Sequence, residues 1–197
     1  ERFPGLTTPD ESYHGITYTK QFGQEGAYIT KAVAQLMRDF GAIPSPHNSF
    51  LLNLGLETLH LRMPRHCANA QKVAEYLDAN KKVAWVNYCG LPKNKYYALA
   101  QKDMPNGSCG VVSFGLVGGR AAAEAFMKEL KVASIATHVA DAHSCVLHPA
   151  NATHRQLSDE ELKAAGIGPD LIRLSVGIED IDDILADIEN ALNIAVK

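Results

Sequence analysis

The stretch DLIRLSVG, residues 170–177, decides the fold class of this chain. Its leucine and β-branched residues predict a strand, with Arg173 near the middle. The segment EDIDD, residues 179–183, follows at once and places acids where the positive end of a helix dipole begins. We therefore predict a strand that leads into a final helix, which is a building unit of α/β domains.

The alternation of strand and helix patterns continues upstream of this stretch. Strands are predicted at residues 83–88, 109–116, 132–136 and 144–147, and helices at about 120–130 and from the Ser158–Glu161 capping box to Gly166. Together these patterns predict an α/β domain over roughly residues 56–197, a small sheet covered by helices.

The first part of the chain has a different pattern. Residues 1–22 are rich in Pro, Gly, Thr and aromatic residues without a clear period, so loops and short extended pieces are predicted there. A helical period begins at Gly26, and Gly41 is expected to end that helix. A second long helical pattern runs from Leu51 to Leu77, and Pro64 is expected to kink or interrupt it.

Composition excludes several functional classes. The chain has 197 residues, 46% of them hydrophobic, and a net charge of −3, so no basic surface for nucleic acid or anionic membrane is predicted. No apolar run approaches the roughly 18 residues of a membrane span. Four widely spaced cysteines predict free thiols and a cytoplasmic protein rather than a disulfide framework.

Arg173 is the first candidate for a binding residue. Its side chain shares a strand face with Leu171 and Ser175, opposite Ile172 and Leu174. A guanidinium on a strand needs a carboxylate or water, and its planar fork suits bidentate binding of a carboxylate ligand. The alternatives are an edge position in water or an internal salt bridge with an acid of residues 180–183.

Other constellations are weaker. His138, His143 and His148 are five residues apart and favour polar loop positions over a metal site. A Cys145–His143 nucleophile pair is disfavoured because neighbours on a strand point to opposite faces. The run GLVGG, residues 115–119, lacks the phosphate-loop patterns and indicates a tight strand-to-helix turn.

Five ordered motifs resemble one family, the pyridoxal-phosphate enzymes of cysteine and methionine metabolism. They are PDESYHG (9–15), GLETLHLRMPRH (55–66), SFG (113–115), HPANATH (148–154) and IRLSVGIED (172–180). Within that family, residues 153–158 and 165–170 are most similar to the O-acetylhomoserine sulfhydrylase group.

The resemblance implies an aminotransferase-like fold of type I. It implies that residues 1–55 are the end of a large cofactor domain with its connecting helix, and that residues 56–197 are the small C-terminal α/β domain. It further implies dimers of dimers, with the N-terminal part of the same enzyme as a partner. The cofactor lysine of the family precedes the SYHG motif, so Lys20 in the string TYTK is not expected to be that lysine, and no catalytic or cofactor-binding residue is assigned to this chain.

The resemblance also implies an activity. The expected reaction is γ-replacement of the acetate of O-acetyl-L-homoserine by sulfide, which gives homocysteine for methionine biosynthesis. Arg173 matches the family arginine that binds the substrate α-carboxylate. The sulfhydrylase pattern has Asn-Val-Gly-Asp where this chain has HVAD, residues 138–141, so His138 is the second expected substrate-binding residue, and this departure leaves the substrate preference open. A cystathionine γ-synthase, a γ-lyase and a non-catalytic isolated small domain remain as alternatives.

Overall fold

The computed structural model describes residues 2–196 and divides the chain into two compact units, Glu1–Leu56 and Glu57–Lys197. The helices of the first unit are α1 (Pro4–Thr7), α2 (Tyr18–Thr30), a π-helical segment (Lys31–Met37), α3 (Arg38–Phe40) and α4 (Pro46–Glu57), with a 3-10 turn at Glu11–Tyr13.

The prediction of loops over residues 1–22 is wrong for much of that segment, because α1 and the first turns of α2 lie within it. A buried polar network explains the difference. The Tyr18 hydroxyl donates to Gln35 Oε1 at 2.6 Å, and Lys31 Nζ donates to Asp10 Oδ2 at 2.7 Å. These bonds hold the segment against the helix that follows, whereas a sequence pattern reveals only local periodicity. Gly41 does end the helix, with a φ of 65°.

The second unit is an α/β domain. Its elements in order are α5 (Leu59–Ala79), β1 (Val83–Asn87), α6 (Tyr97–Asp103), β2 (Val111–Leu116), α7 (Gly119–Glu129), β3 (Ser134–Ile135), β4 (Cys145–Leu147), a 3-10 turn (Pro149–Asn151), α8 (Asp159–Ala164), β5 (Ile172–Ser175) and α9 (Ile181–Ala195). The predicted strands, the helix after Gly118-Gly119, the capping box and the final helix are confirmed. Helix α6 was not predicted.

Pro64 was expected to kink or interrupt the long helical pattern, but the interruption lies elsewhere. The break falls at Thr58, between α4 and α5, where φ is −107° and ψ is 3°. Pro64 lies inside α5 near its start, where a proline removes a single backbone hydrogen bond. That loss is small beside the packing of the later turns of α5, which bury Val73, Ala74 and Leu77 completely.

In the described residues, the strands form one sheet in the order β1-β2-β5-β4-β3, antiparallel except for the β3–β4 pair. Side chains from α5, α7 and α9 pack on one face of it and form a single apolar core with the sheet. Phe114 and Phe126 meet there edge to face, with ring centroids 5.7 Å apart. Strand β5 thus lies at the centre of the sheet, with one face buried under helices.

Candidate functional site

Arg173 lies on the central strand β5. Its backbone is paired with Ser113 of β2 and with Leu147 of β4. The flanking Ile172 and Leu174 are 0% and 1% exposed on the helix-covered face, so the guanidinium lies on the opposite face, as the alternation predicted. A charged side chain is therefore fixed at the centre of the sheet and away from the apolar core.

The guanidinium of Arg173 is held by backbone carbonyls. Its Nη2 donates to Thr137 O at 2.9 Å and lies 3.4 Å from His138 O, while Nε is buried and has no hydrogen-bond partner in residues 2–196. Among the same residues, no carboxylate forms an ion pair with it within 4.0 Å. The internal salt bridge considered as an alternative is therefore wrong for the described chain, and no carboxylate of these residues neutralises the guanidinium, whose Nη2 is engaged by carbonyl oxygens.

The backbone of His138 lies close to the side chain of Arg173. Its carbonyl oxygen faces Arg173 Nη2, and its side chain is exposed. Two residues later, Ala140 has a φ of 59°, the left-handed region that favours glycine. The sulfhydrylase pattern has glycine at this position, and the backbone conformation here favours glycine. This chain has Ala140 instead, in a strained conformation.

Cys145 lies on the same sheet face, paired with Ser175 of β5. Burial raises the pKa of its thiol, Asp141 and Glu179 raise it further, and Arg173 opposes them. Its Sγ lies 3.5 Å from the backbone oxygen of His143. The imidazole of His143 is instead 3.6 Å from Glu179. The two side chains do not form a thiol–imidazole pair, so this arrangement offers no activated nucleophile.

The three spaced histidines have different environments. His143 is largely exposed, whereas His148 is buried and its Nε2 lies 2.8 Å from Pro169 O. No cluster of His, Cys, Asp or Glu among residues 2–196 has the geometry of a metal site. The glycine run forms a turn, as predicted, with positive φ at Gly118, directly before α7, and at Gly119, its first residue.

Sequence reasoning missed Ser144 and Glu179. Glu179 was assigned to the acidic start of the last helix, but Asp180 caps that helix and the Glu179 side chain turns back to Ser144. The bond joins residues 35 positions apart, so no local pattern could reveal it. The one available signal was the acid Glu179 itself, which stands directly before Asp180, the cap of the last helix.

Comparison with known proteins decides the family. Residues 18–193 match the family described as Cys/Met metabolism PLP-dependent enzyme. The chain belongs to this family. Curated relatives include an O-acetyl-L-homoserine sulfhydrylase of Leptospira meyeri, 44% identical over 97% of this chain, and a homocysteine synthase of Schizosaccharomyces pombe, 46% identical over 99% of it.

A solved structure gives the same assignment for the fold. A Campylobacter jejuni protein provisionally named O-acetylhomoserine (thiol)-lyase superposes with a TM-score of 0.85 and 36% identity over 98% of this chain, and that structure contains an N'-pyridoxyl-lysine-5'-monophosphate. The predicted α/β fold of type I is confirmed. This chain spans 45% of the length of these three proteins.

The residues of this chain fit the substrate side of a pyridoxal-phosphate site. The guanidinium of Arg173, which backbone carbonyls hold in place, can bind a carboxylate, the group that every amino-acid substrate carries. Lys20 is exposed in the first turn of α2. No helix within residues 2–196 is both long enough and apolar enough to cross a bilayer.

Proposed function

We propose that this chain is the substrate-carboxylate-binding, C-terminal part of a pyridoxal-phosphate-dependent enzyme. The reaction is the replacement of the γ-acetoxy group of O-acetyl-L-homoserine by sulfide, which gives homocysteine and acetate for methionine biosynthesis. The similarity to O-acetylhomoserine sulfhydrylases and homocysteine synthases supports this substrate. The guanidinium of Arg173, which no carboxylate of the described residues neutralises, carries the proposal.

Arg173 binds the α-carboxylate of the amino acid in this proposal. Its Nη2 is already held by Thr137 O, so the charged group can meet a carboxylate with little further ordering of the side chain. The bound orientation would determine which bond of the α carbon is presented for reaction. His138 donates a hydrogen bond to the same carboxylate, a role supported by its position next to Arg173.

Pyridoxal phosphate, when bound, supplies the electron sink for charge that develops at the α carbon. We assign its lysine and its phosphate ligands to the part of the enzyme beyond the 45% that this chain spans. The proposed division is residues 1–55 as the end of the large cofactor domain and residues 56–197 as the small domain. The small domain then contributes the group that orients the substrate.

We further propose a cytoplasmic homotetramer, a dimer of dimers. The four cysteines are free, which favours a reducing compartment. The helices of the first unit expose large apolar side chains, among them Phe40, Phe50 and Leu52, and such surfaces are typical of interfaces. Sedimentation of the complete enzyme tests the tetramer.

The test of the proposed function is the replacement of Arg173 by Ala in the complete enzyme. Loss of this charged contact is expected to lower kcat/KM for O-acetylhomoserine on the order of 10²–10³-fold, with Arg173→Lys in between. Arg120→Ala is the control, because Arg120 pairs with Asp159 and Asn151 on the surface. Equal kinetics of Arg173→Ala and Arg120→Ala would contradict the assignment.

The sister activities of the family are the second candidate, because HVAD replaces the sulfhydrylase pattern at residues 138–141. A cystathionine γ-synthase prefers cysteine to sulfide as the acceptor, and a γ-lyase needs neither. Initial rates with each acceptor separate the three. The remaining alternative, a non-catalytic small domain, predicts that borohydride fixes no cofactor to a polypeptide of 21.4 kDa, whereas a larger mass with bound cofactor contradicts it.

A further inference from the structure

The orientation of Arg173 depends on a segment without regular structure. The two carbonyls near its Nη2 belong to Thr137 and His138, which follow β3 and begin the loop of residues 137–144 that leads to β4. Backbone oxygens in such a loop stay in place only where the loop is tied to the rest of the domain. The question is therefore what holds this loop.

The far end of the loop is held by one carboxylate together with a backbone bond, in which Ile178 N donates to Ala142 O at 2.9 Å. Ser144 N donates to Glu179 Oε1 at 2.6 Å, and Ser144 Oγ donates to Glu179 Oε2 at 3.0 Å. The Ser144 hydroxyl oxygen also accepts from Gly177 N at 2.9 Å. Both oxygens of the carboxylate thus accept hydrogen bonds from a single loop residue. The middle of the loop is held separately, by a bond from Ala140 N to Ser175 Oγ.

Glu179 is in turn fixed to the helical layer. Its backbone oxygen accepts from Asn69 Nδ2 at 3.0 Å and from Arg65 Nη2 at 3.2 Å, both on α5. Its side chain is 19% exposed, and within residues 2–196 its ion-pair contact is the exposed His143 at 3.6 Å. The two bonds from Ser144 are therefore the main compensation for the partial burial of this charge.

Gly177 shows how closely the loop approaches. A Cβ added at this residue would overlap the Glu179 carboxylate, Ala142 O and Ser144 N. The loop thus packs directly on the backbone that joins β5 to α9, with no space for even a methyl group.

We propose that Glu179 is a positioning residue, which acts through Ser144 to hold the 137–144 loop so that its carbonyls orient Arg173 toward the substrate carboxylate. This inference rests on the proposed function. It adds a specific role for a residue that touches neither substrate nor cofactor.

The test compares Glu179→Ala with Glu179→Gln in the complete, cofactor-loaded enzyme. Glu179→Ala is expected to raise KM for O-acetylhomoserine about tenfold, with a smaller change in kcat and none in KM for sulfide. Glu179→Gln keeps one acceptor for Ser144 N and is expected to recover most of that loss. Hydrogen exchange at the amides of Ala140 and Ser144 is expected to be faster in Glu179→Ala.

Glu161→Ala is the matched control. Glu161 also accepts from a serine amide, Ser158 N at 2.8 Å, but in the capping box of α8. A general loss of stability would affect both variants alike, whereas the inference requires that KM rise only in Glu179→Ala. Equal KM values in the two variants, or unchanged exchange in the loop, overturn the inference.

Arg173→Ala in the same assay separates the two proposals. If it lowers kcat/KM while Glu179→Ala does not, the positioning role alone is overturned. If Arg173→Ala has no effect, the proposed carboxylate site is wrong, and the positioning role is overturned with it. If the wild-type enzyme does not turn over O-acetylhomoserine, the proposed substrate is wrong, and the hydrogen-exchange result still supports or overturns the hold on the loop.

Discussion

The two faces of the sheet in the second unit are covered by different chemistry. One face packs against α5, α7 and α9 through fully buried side chains such as Phe114 and Phe126. The other face carries Arg173 and Ser175, and hydrogen bonds tie it to the loop of residues 137–144. The helix-covered face supplies stability and the loop-covered face supplies geometry, so substitutions on the two faces are expected to change different observables.

The largest expected effect is on the helix-covered face. Phe126→Ala removes a 0%-exposed ring that packs on Phe114, and it is expected to lower the free energy of unfolding by about 3–5 kcal/mol. Urea denaturation measures this change. Lys128→Ala on the same helix is exposed and is expected to stay within about 0.5 kcal/mol of wild type. A small effect of Phe126→Ala would remove the contrast between the faces.

A smaller effect is expected at Gly115 on the other face of β2. A Cβ there would overlap the indole nitrogen of Trp85 and the carboxylate of Asp170, which are joined by a 2.8 Å hydrogen bond. Gly115→Ala is therefore expected to cost about 1–3 kcal/mol of unfolding free energy.

A double-mutant cycle with Trp85→Phe sharpens the Gly115 test. Phenylalanine removes both the hydrogen bond to Asp170 and the indole nitrogen, the atom nearest to the added methyl group, and it leaves the Asp170 carboxylate without that partner. The cost of Gly115→Ala is expected to fall in that background. Additive costs would show that the clash is not the cause.

The smallest effect is a gain, at Ala140 in the loop. Its φ of 59° is strained for alanine, so Ala140→Gly is expected to stabilise the enzyme by about 0.5–1 kcal/mol. Ala142→Gly, in the same loop without a positive φ, is expected to have the opposite sign. Thermal unfolding of both variants tests whether the two changes in stability have opposite signs. A loss of stability in both variants would exclude strain at Ala140.

Apart from α6, sequence reasoning predicted the elements of the second unit and the strand face of Arg173, because both follow from local period and alternation. It did not predict the helices near the start of the chain, where Tyr18 and Gln35 pair across 17 positions. Nor did it predict that Glu179 bonds to Ser144 instead of starting the last helix. Contacts between distant residues decide these features, and a single sequence contains no local signal for them.

The central position of β5 has a consequence for how the domain is made. Along the described chain β5 is the last strand to be synthesised, yet it separates β2 from β4 in the finished sheet. Until it leaves the ribosome, the inner edges of both neighbours have no partner, and unpaired edges are sites of aggregation. The nascent domain is therefore expected to depend on chaperones up to the emergence of Arg173, so that the protection of these edges arrives together with this arginine.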